Sequence, residues 1–123
     1  MSDILYIEDD RHIGRLVQVT LGSKGHEVEL VTDGLEGLER LERAPRPSLV
    51  ILDIMLPGID GLSILSFMRK KPELADVPVL VLTARSTDVD LGGHETAGHT
   101  ESMSKPFDIE ELIATVERLR SLN

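Results

Sequence analysis

Leu49-Val50-Ile51-Leu52-Asp53 decides how this chain is read. Four apolar residues in a row predict a strand buried on both faces, as a central strand of a parallel sheet must be. Leu62, Leu65 and Met68 then recur at helical spacing, so the strand leads into a helix. The same alternation continues upstream. Ile4-Leu5-Tyr6-Ile7 is an apolar run, followed by Ile13, Leu16, Val17 and Leu21 at helical spacing. Val28-Glu29-Leu30-Val31 is a second, alternating strand, and Leu35, Leu38 and Leu41 mark a helix that ends before Pro45 and Pro47. Downstream, Val77 to Leu82 forms a fourth strand, with Pro78 near its start where a missing donor is tolerated. A fifth strand is expected at about Glu101 to Ser104. Ile109, Leu112, Ile113, Val116 and Leu119 form the stripe of a last helix, with Asp108 as N-cap and Glu111 as its capping-box partner. From Ser86 to Thr100 the only apolar positions are Val89, Leu91 and Ala97, and each of Gly92 and Gly93 would cost a helix about 1 kcal/mol. That segment reads as a weak or partial helix. Strand alternating with helix means an α/β fold, a parallel sheet with helices on both faces.

The composition agrees with one domain of this kind. The chain has 123 residues, too few for two independent cores. Its 41% hydrophobic and 28% charged content is that of a globular protein rather than a disordered or fibrous one. Aromatics are limited to Tyr6, Phe67 and Phe107, so the core is aliphatic. The absence of cysteine excludes disulfides, thiolate chemistry and Cys-ligated metals. Apolar runs stop at about five residues, against the roughly 20 needed to span a bilayer, and Met1-Ser2-Asp3 carries no sign of a secretory signal. A cytoplasmic protein is the expectation. Thirteen basic residues against 22 acidic ones give a net charge of −9, which repels phosphate backbones and argues against nucleic-acid binding.

In an open parallel sheet the ligand site lies beyond the carboxyl ends of the strands. Glu8, Asp9 and Asp10 follow the first strand, Asp53 the third, Thr83 and Ala84 the fourth, and Lys105-Pro106 the fifth. Each has an ordinary explanation by itself. Asp10 alone reads as the N-cap of the next helix, Thr83 as a loop residue bonding its own backbone, and Lys105 as a surface lysine. Together, Asp9, Asp10 and Asp53 would repel one another at the sheet edge unless something cationic sits among them. Hard oxygen ligands in a loose group suit Mg2+ better than a soft metal.

Glu8-Asp9-Asp10, Leu52-Asp53-Ile54-Met55-Leu56-Pro57-Gly58-Ile59-Asp60-Gly61, Leu82-Thr83-Ala84-Arg85 and Lys105-Pro106-Phe107 resemble, in order, the motifs of the receiver domain of two-component response regulators. The resemblance runs from Ile4 to Leu119 and is nearest to the winged-helix transcription-factor branch. It implies a single receiver domain over residues 1–123 with a flavodoxin-like sheet in the order 2-1-3-4-5. It also implies that Asp53 accepts a phosphoryl group from a phosphohistidine of a sensor histidine kinase. Asp10 would be a direct Mg2+ ligand and Asp9 a ligand through water, with Asp53 and the backbone carbonyl of Met55 completing the protein's share. Lys105 would bind a phosphoryl oxygen, and its bond to Pro106 would be cis. Thr83 would swing its hydroxyl onto the phosphoryl group, and the small Ala84 would leave the acceptor approachable. A downstream protein or effector domain would read the switch, the domain being a monomer or weak homodimer.

Ser102 stands where the family usually has an aromatic residue paired to the threonine switch, and Glu95 where it has a buried aliphatic one. Phosphorylation chemistry is therefore expected to be intact and the output surface unusual. The alternative is a docking module that kept the fold and lost phosphorylation control. A hydrolase of the aspartyl-phosphate type is disfavoured, because Met55 stands where such enzymes need a second acid. His94 and His99 lack a third ligand and read as surface histidines.

Overall fold

The computed structural model describes residues 4–43, 45–56, 58–83 and 99–121. Five parallel strands, β1 (Ile4–Ile7), β2 (Val28–Val31), β3 (Leu49–Asp53), β4 (Val79–Thr83) and β5 (Thr100–Ser104), form one sheet in the order β2-β1-β3-β4-β5. The described helices are α1 (Arg11–Ser23), α2 (Gly34–Leu41), α3 (Gly61–Lys70) and α4 (Ile109–Arg120). The expected fold class and strand order are both observed. β1, β3 and β4 are buried at every position, whereas β2, on the sheet edge, is mostly half-buried. That is the difference between the continuous apolar runs and the alternating Val28–Val31. The segment from Ser86, read as a weak helix, lies outside the described residues up to Gly98, as do Glu95, Gly92, Gly93 and His94. His99 is exposed, and Thr100 opens β5.

Alternate residues of each strand face opposite sides, so the sheet has two cores. Leu5, Ile7, Val50, Leu52, Val79 and Val81 pack against Ile64, Leu65 and Met68 of α3. Ile4, Tyr6, Leu49, Ile51, Leu80 and Leu82 pack against α1 and α4. Val17, Leu21 and Leu41 of the expected stripes are buried, but one leucine of each stripe faces out. Leu16 is 58% exposed on α1 and Leu35 is 53% exposed on α2. The buried residues are Gly14, Val17 and Leu21 in α1, and Gly34, Gly37, Arg40 and Leu41 in α2. Glycine lets these helices lie close to the sheet: a Cβ on Gly37 would stand 2.5 Å from Ile7 Cδ1, and one on Gly14 2.8 Å from Leu30 Cδ1.

Asp10, Asp33, Asp60 and Asp108 each cap a helix by accepting backbone N–H groups of the first turn. At the other end of the sheet Arg69, on α3, gathers the chain entering β4 and β5. Its Nη1 donates to the carbonyls of Ala75 at 3.1 Å and Val77 at 2.8 Å, and its Nη2 to Thr100 Oγ1 at 2.8 Å. Burial pulls its guanidinium below the usual arginine range. Arg69→Met keeps the packing of the stem but strands those acceptors, so it should cost about 3 kcal/mol in urea unfolding. A loss under about 0.5 kcal/mol, the range of an ordinary surface substitution, would show that water satisfies the carbonyls as well.

Candidate functional site

Strand register brings the site together. Ile7 lies opposite Leu52, so the next residues, Glu8 and Asp53, leave the ends of β1 and β3 side by side. Glu8 stays on the ladder, its N–H donating to Val31 O at 2.9 Å, and its side chain is fully buried. Asp53 is 3% exposed and closes β3. On the far side Thr83 pairs with Ser104, and the N–H of Lys105 donates to Thr83 O at 2.7 Å. Lys105 therefore leaves β5 pointing back over β3. Its ammonium lies 2.9 Å from Asp53 Oδ2 and 2.9 Å from Glu8 Oε1. The Lys105–Pro106 peptide is cis.

The loop after β3 is tied to the Asp53 side chain. Met55 N–H donates to Asp53 Oδ1 at 3.0 Å, and Gly61 N–H to Ile54 O at 3.0 Å. A Cβ on Gly61 would stand 2.5 Å from Asp53 O, so only glycine lets α3 start this close beneath β3. Met55 itself is 74% exposed at the rim.

Carboxylate oxygens of Glu8, Asp9 and Asp53 lie within 4.8 Å of one another. Asp9 and Asp53, two of the residues expected to hold a metal, are in this acidic group, and Asp10 is not. Its Oδ1 accepts from His12 N at 3.0 Å and Ile13 N at 3.2 Å, capping α1, and Glu8 stands in its stead. The reason is the reach of the ladder. Glu8, just past β1, still bonds the neighbouring strand through its N–H and is fully buried, whereas Asp10 is already the residue before a helix. The signal for Glu8 was present in the sequence, since Tyr6 and Glu8 share one face of a period-2 strand.

Among the described residues, three carboxylates meet one ammonium here, which leaves excess negative charge in a confined place. Burial pushes the Glu8 carboxyl above the usual carboxylate range, helped by neighbouring Asp53 and opposed by Lys105 and the Asp10 N–H. Burial works against the Lys105 charge, but its bonds to Asp53 and Glu8 outweigh it and hold the ammonium above the usual lysine range. An all-oxygen, acid-rich group of this kind fits a hard divalent cation of the magnesium class. Thr83 is buried at the end of β4, and Ser102 is half-buried on β5 opposite Val81. Ala84 lies outside the described residues.

The family model of the response regulator receiver domain matches residues 4–117, and the chain belongs to that family. It is a receiver domain of two-component response regulators. It is 38% identical over 119 residues to the DNA-binding dual master transcriptional regulator RpaA of Synechocystis, covering 97% of this chain and 49% of that protein. The chain thus spans about half the length of the curated relatives it matches. Among solved structures it resembles the chemotaxis response regulator CheY4 of Vibrio cholerae, with TM-score 0.86 and 30% identity over 97% of this chain and 98% of that one. It also resembles the receiver domain of sensor histidine kinase PA1611 from Pseudomonas aeruginosa, which has a magnesium ion coordinated in its active-site cleft (TM-score 0.84, 30% identity, 98% of each chain). No helix among the described residues is long and apolar enough to cross a membrane.

Proposed function

We propose that this domain accepts a phosphoryl group on the Asp53 carboxylate from a phosphohistidine of a sensor kinase. The observation that carries the reading is the Lys105 ammonium, 2.9 Å from Asp53 Oδ2 at a buried acidic rim. An Asp53 oxygen attacks phosphorus as the bond to the histidine nitrogen breaks; the imidazole leaves and an acyl phosphate forms. Met55 N–H and Lys105 fix the carboxylate for in-line attack, and Lys105 is in place to receive a phosphoryl oxygen as charge develops there. Thr83 supplies the hydroxyl that turns to the phosphoryl group and so reports the modified state. Glu8, Asp9 and Asp53, with the Met55 carbonyl, would hold Mg2+. Bound there, the ion would neutralise charge on the phosphoryl oxygens. An effector region or separate protein would read the resulting change as a population shift.

The test is incubation with a small acyl phosphate donor, with and without Mg2+, read by intact mass. One phosphoryl group should be added only with the cation, and peptide mapping should place it on Asp53. No addition, or addition at another residue, would end this reading. It would leave the docking module, to which Ser102 points.

A further inference from the structure

The Tyr6 hydroxyl lies directly beneath the acidic group and takes no part in the chemistry proposed above. Tyr6 is fully buried on β1, a strand paired on both sides, with its ring in the aliphatic core facing α1 and α4. Two residues on along the same face stands Glu8, and the phenol donates to Glu8 Oε1 at 3.1 Å. A tyrosine in this core must find a partner for its hydroxyl, and a fully buried carboxylate must find donors.

The remaining contacts of Glu8 define what Tyr6 contributes. Asp10 N–H donates to Oε2 at 3.2 Å, and Lys105 reaches Oε1 at 2.9 Å and Oε2 at 3.3 Å. Lys105 is shared with Asp53 and, in the mechanism above, also serves the phosphoryl group. Tyr6 and the Asp10 N–H have no such second duty. One holds each oxygen of Glu8, so together they fix the carboxylate plane from its two ends. Removal of the phenol would leave the Asp10 N–H as the one of these two unshared pins, with Lys105 still divided between Glu8 and Asp53, and the plane would be held less firmly.

We infer that Tyr6 is a positioning residue for the divalent-cation site, acting through Glu8. The inference rests on the receiver reading. Partners that orient a metal-holding group typically cost 10–100-fold in affinity when removed, and a single neutral donor belongs at the lower end.

Mg2+ titration by calorimetry of wild type, Tyr6→Phe, Glu8→Gln and the double variant tests this. Tyr6→Phe should bind Mg2+ about tenfold more weakly, and should change nothing further once Glu8 is Gln. A second readout needs no Tyr6 variant. The chain has one tyrosine and no tryptophan, so the long-wavelength edge of its near-ultraviolet absorption, beyond the phenylalanine bands, reports this phenol alone. Saturating Mg2+ should shift that band in wild type and leave it in place in Glu8→Gln. Equal affinity in wild type and Tyr6→Phe, an equal loss in the Glu8→Gln background, or an unmoved tyrosine band would each overturn the inference. Failure of wild type to bind Mg2+ at all would instead overturn the Mg2+-dependent phosphoryl acceptance proposed above.

Discussion

Asp53→Asn is expected to gain no phosphoryl group where wild type gains one, and yet to unfold at a higher urea concentration in metal-free buffer. The first half follows from chemistry: a carboxamide is not a nucleophile for phosphorus at neutral pH, and among the described residues no other carboxylate shares both Lys105 and Met55 N–H. The second half follows from charge. Asp53 and Glu8 are both buried, and Asp9 stands beside them, with Lys105 the ammonium that touches this group. Two like charges about 4 Å apart cost about 4 kcal/mol at an effective dielectric of 20. Removing one relieves that repulsion, while Lys105 keeps Glu8 and an amide oxygen still accepts from Met55 N–H. The lost attraction between Asp53 and Lys105 offsets most of the gain, so the net is about 1 kcal/mol of stabilisation, the usual size for a relieved functional site. A site that loses its activity and becomes more stable is one built against its own stability. Saturating Mg2+ should reverse the order, because wild type gains more from binding the cation. Phosphoryl uptake by Asp53→Asn would refute the acceptor assignment. A lower urea midpoint in metal-free buffer would show that attraction to Lys105 dominates the cluster.

Much of this is legible in the sequence, and the places where it is not share a cause. β1, β3 and most of β4 follow directly from apolar runs, because a strand in a covered parallel sheet has no polar face to confuse the pattern. The inward faces of α1 and α2 are caught at Val17, Leu21 and Leu41 but are wider than the stripes show. Leu16 and Leu35 face solvent, while Gly14, Gly34 and Gly37 are buried beside the expected residues. A side chain of a single hydrogen leaves no mark in a hydrophobic pattern, though it decides how close two backbones come. The acidic group differs from the expected set of ligands by a single residue, for another reason. Glu8, Asp9 and Asp10 offer three acids in a row, and composition cannot say which of them point inward. Only the end of β1 does, where the last hydrogen bond to β2 is made by the Glu8 N–H and Asp10 is released to cap α1. Lys105 needs no such help, since it lies just past β5 in a sheet whose strand ends all converge.

Lys105→Met should slow phosphoryl uptake by about 10²–10³, the loss seen when one donor to a developing oxyanion is removed. It should also cost about 3 kcal/mol of folding stability near neutral pH, because Glu8 and Asp53 remain buried without their ammonium. The pH dependence separates this from a plain packing loss. Glu8 is held above the usual carboxylate range mainly by burial. A group with a raised folded pKa contributes stability that is fully present below its unfolded value and lost as pH rises through the folded one. Without Lys105 the Glu8 carboxyl rises further, so the variant's deficit should open as pH climbs out of the carboxylate range and close again in acid. Lys105 is itself raised, burial being outweighed by its bonds to Asp53 and Glu8. By the same sign, its contribution in wild type is fully present below the ordinary lysine range and lost as pH rises through the raised value. Wild type should therefore fall toward the variant at alkaline pH. Urea unfolding of both proteins across that range should give a deficit that is largest between the two titrations and smaller on either side. A deficit of constant size would mean that the methylene stem of Lys105, rather than its charge, holds the end of β5 in place.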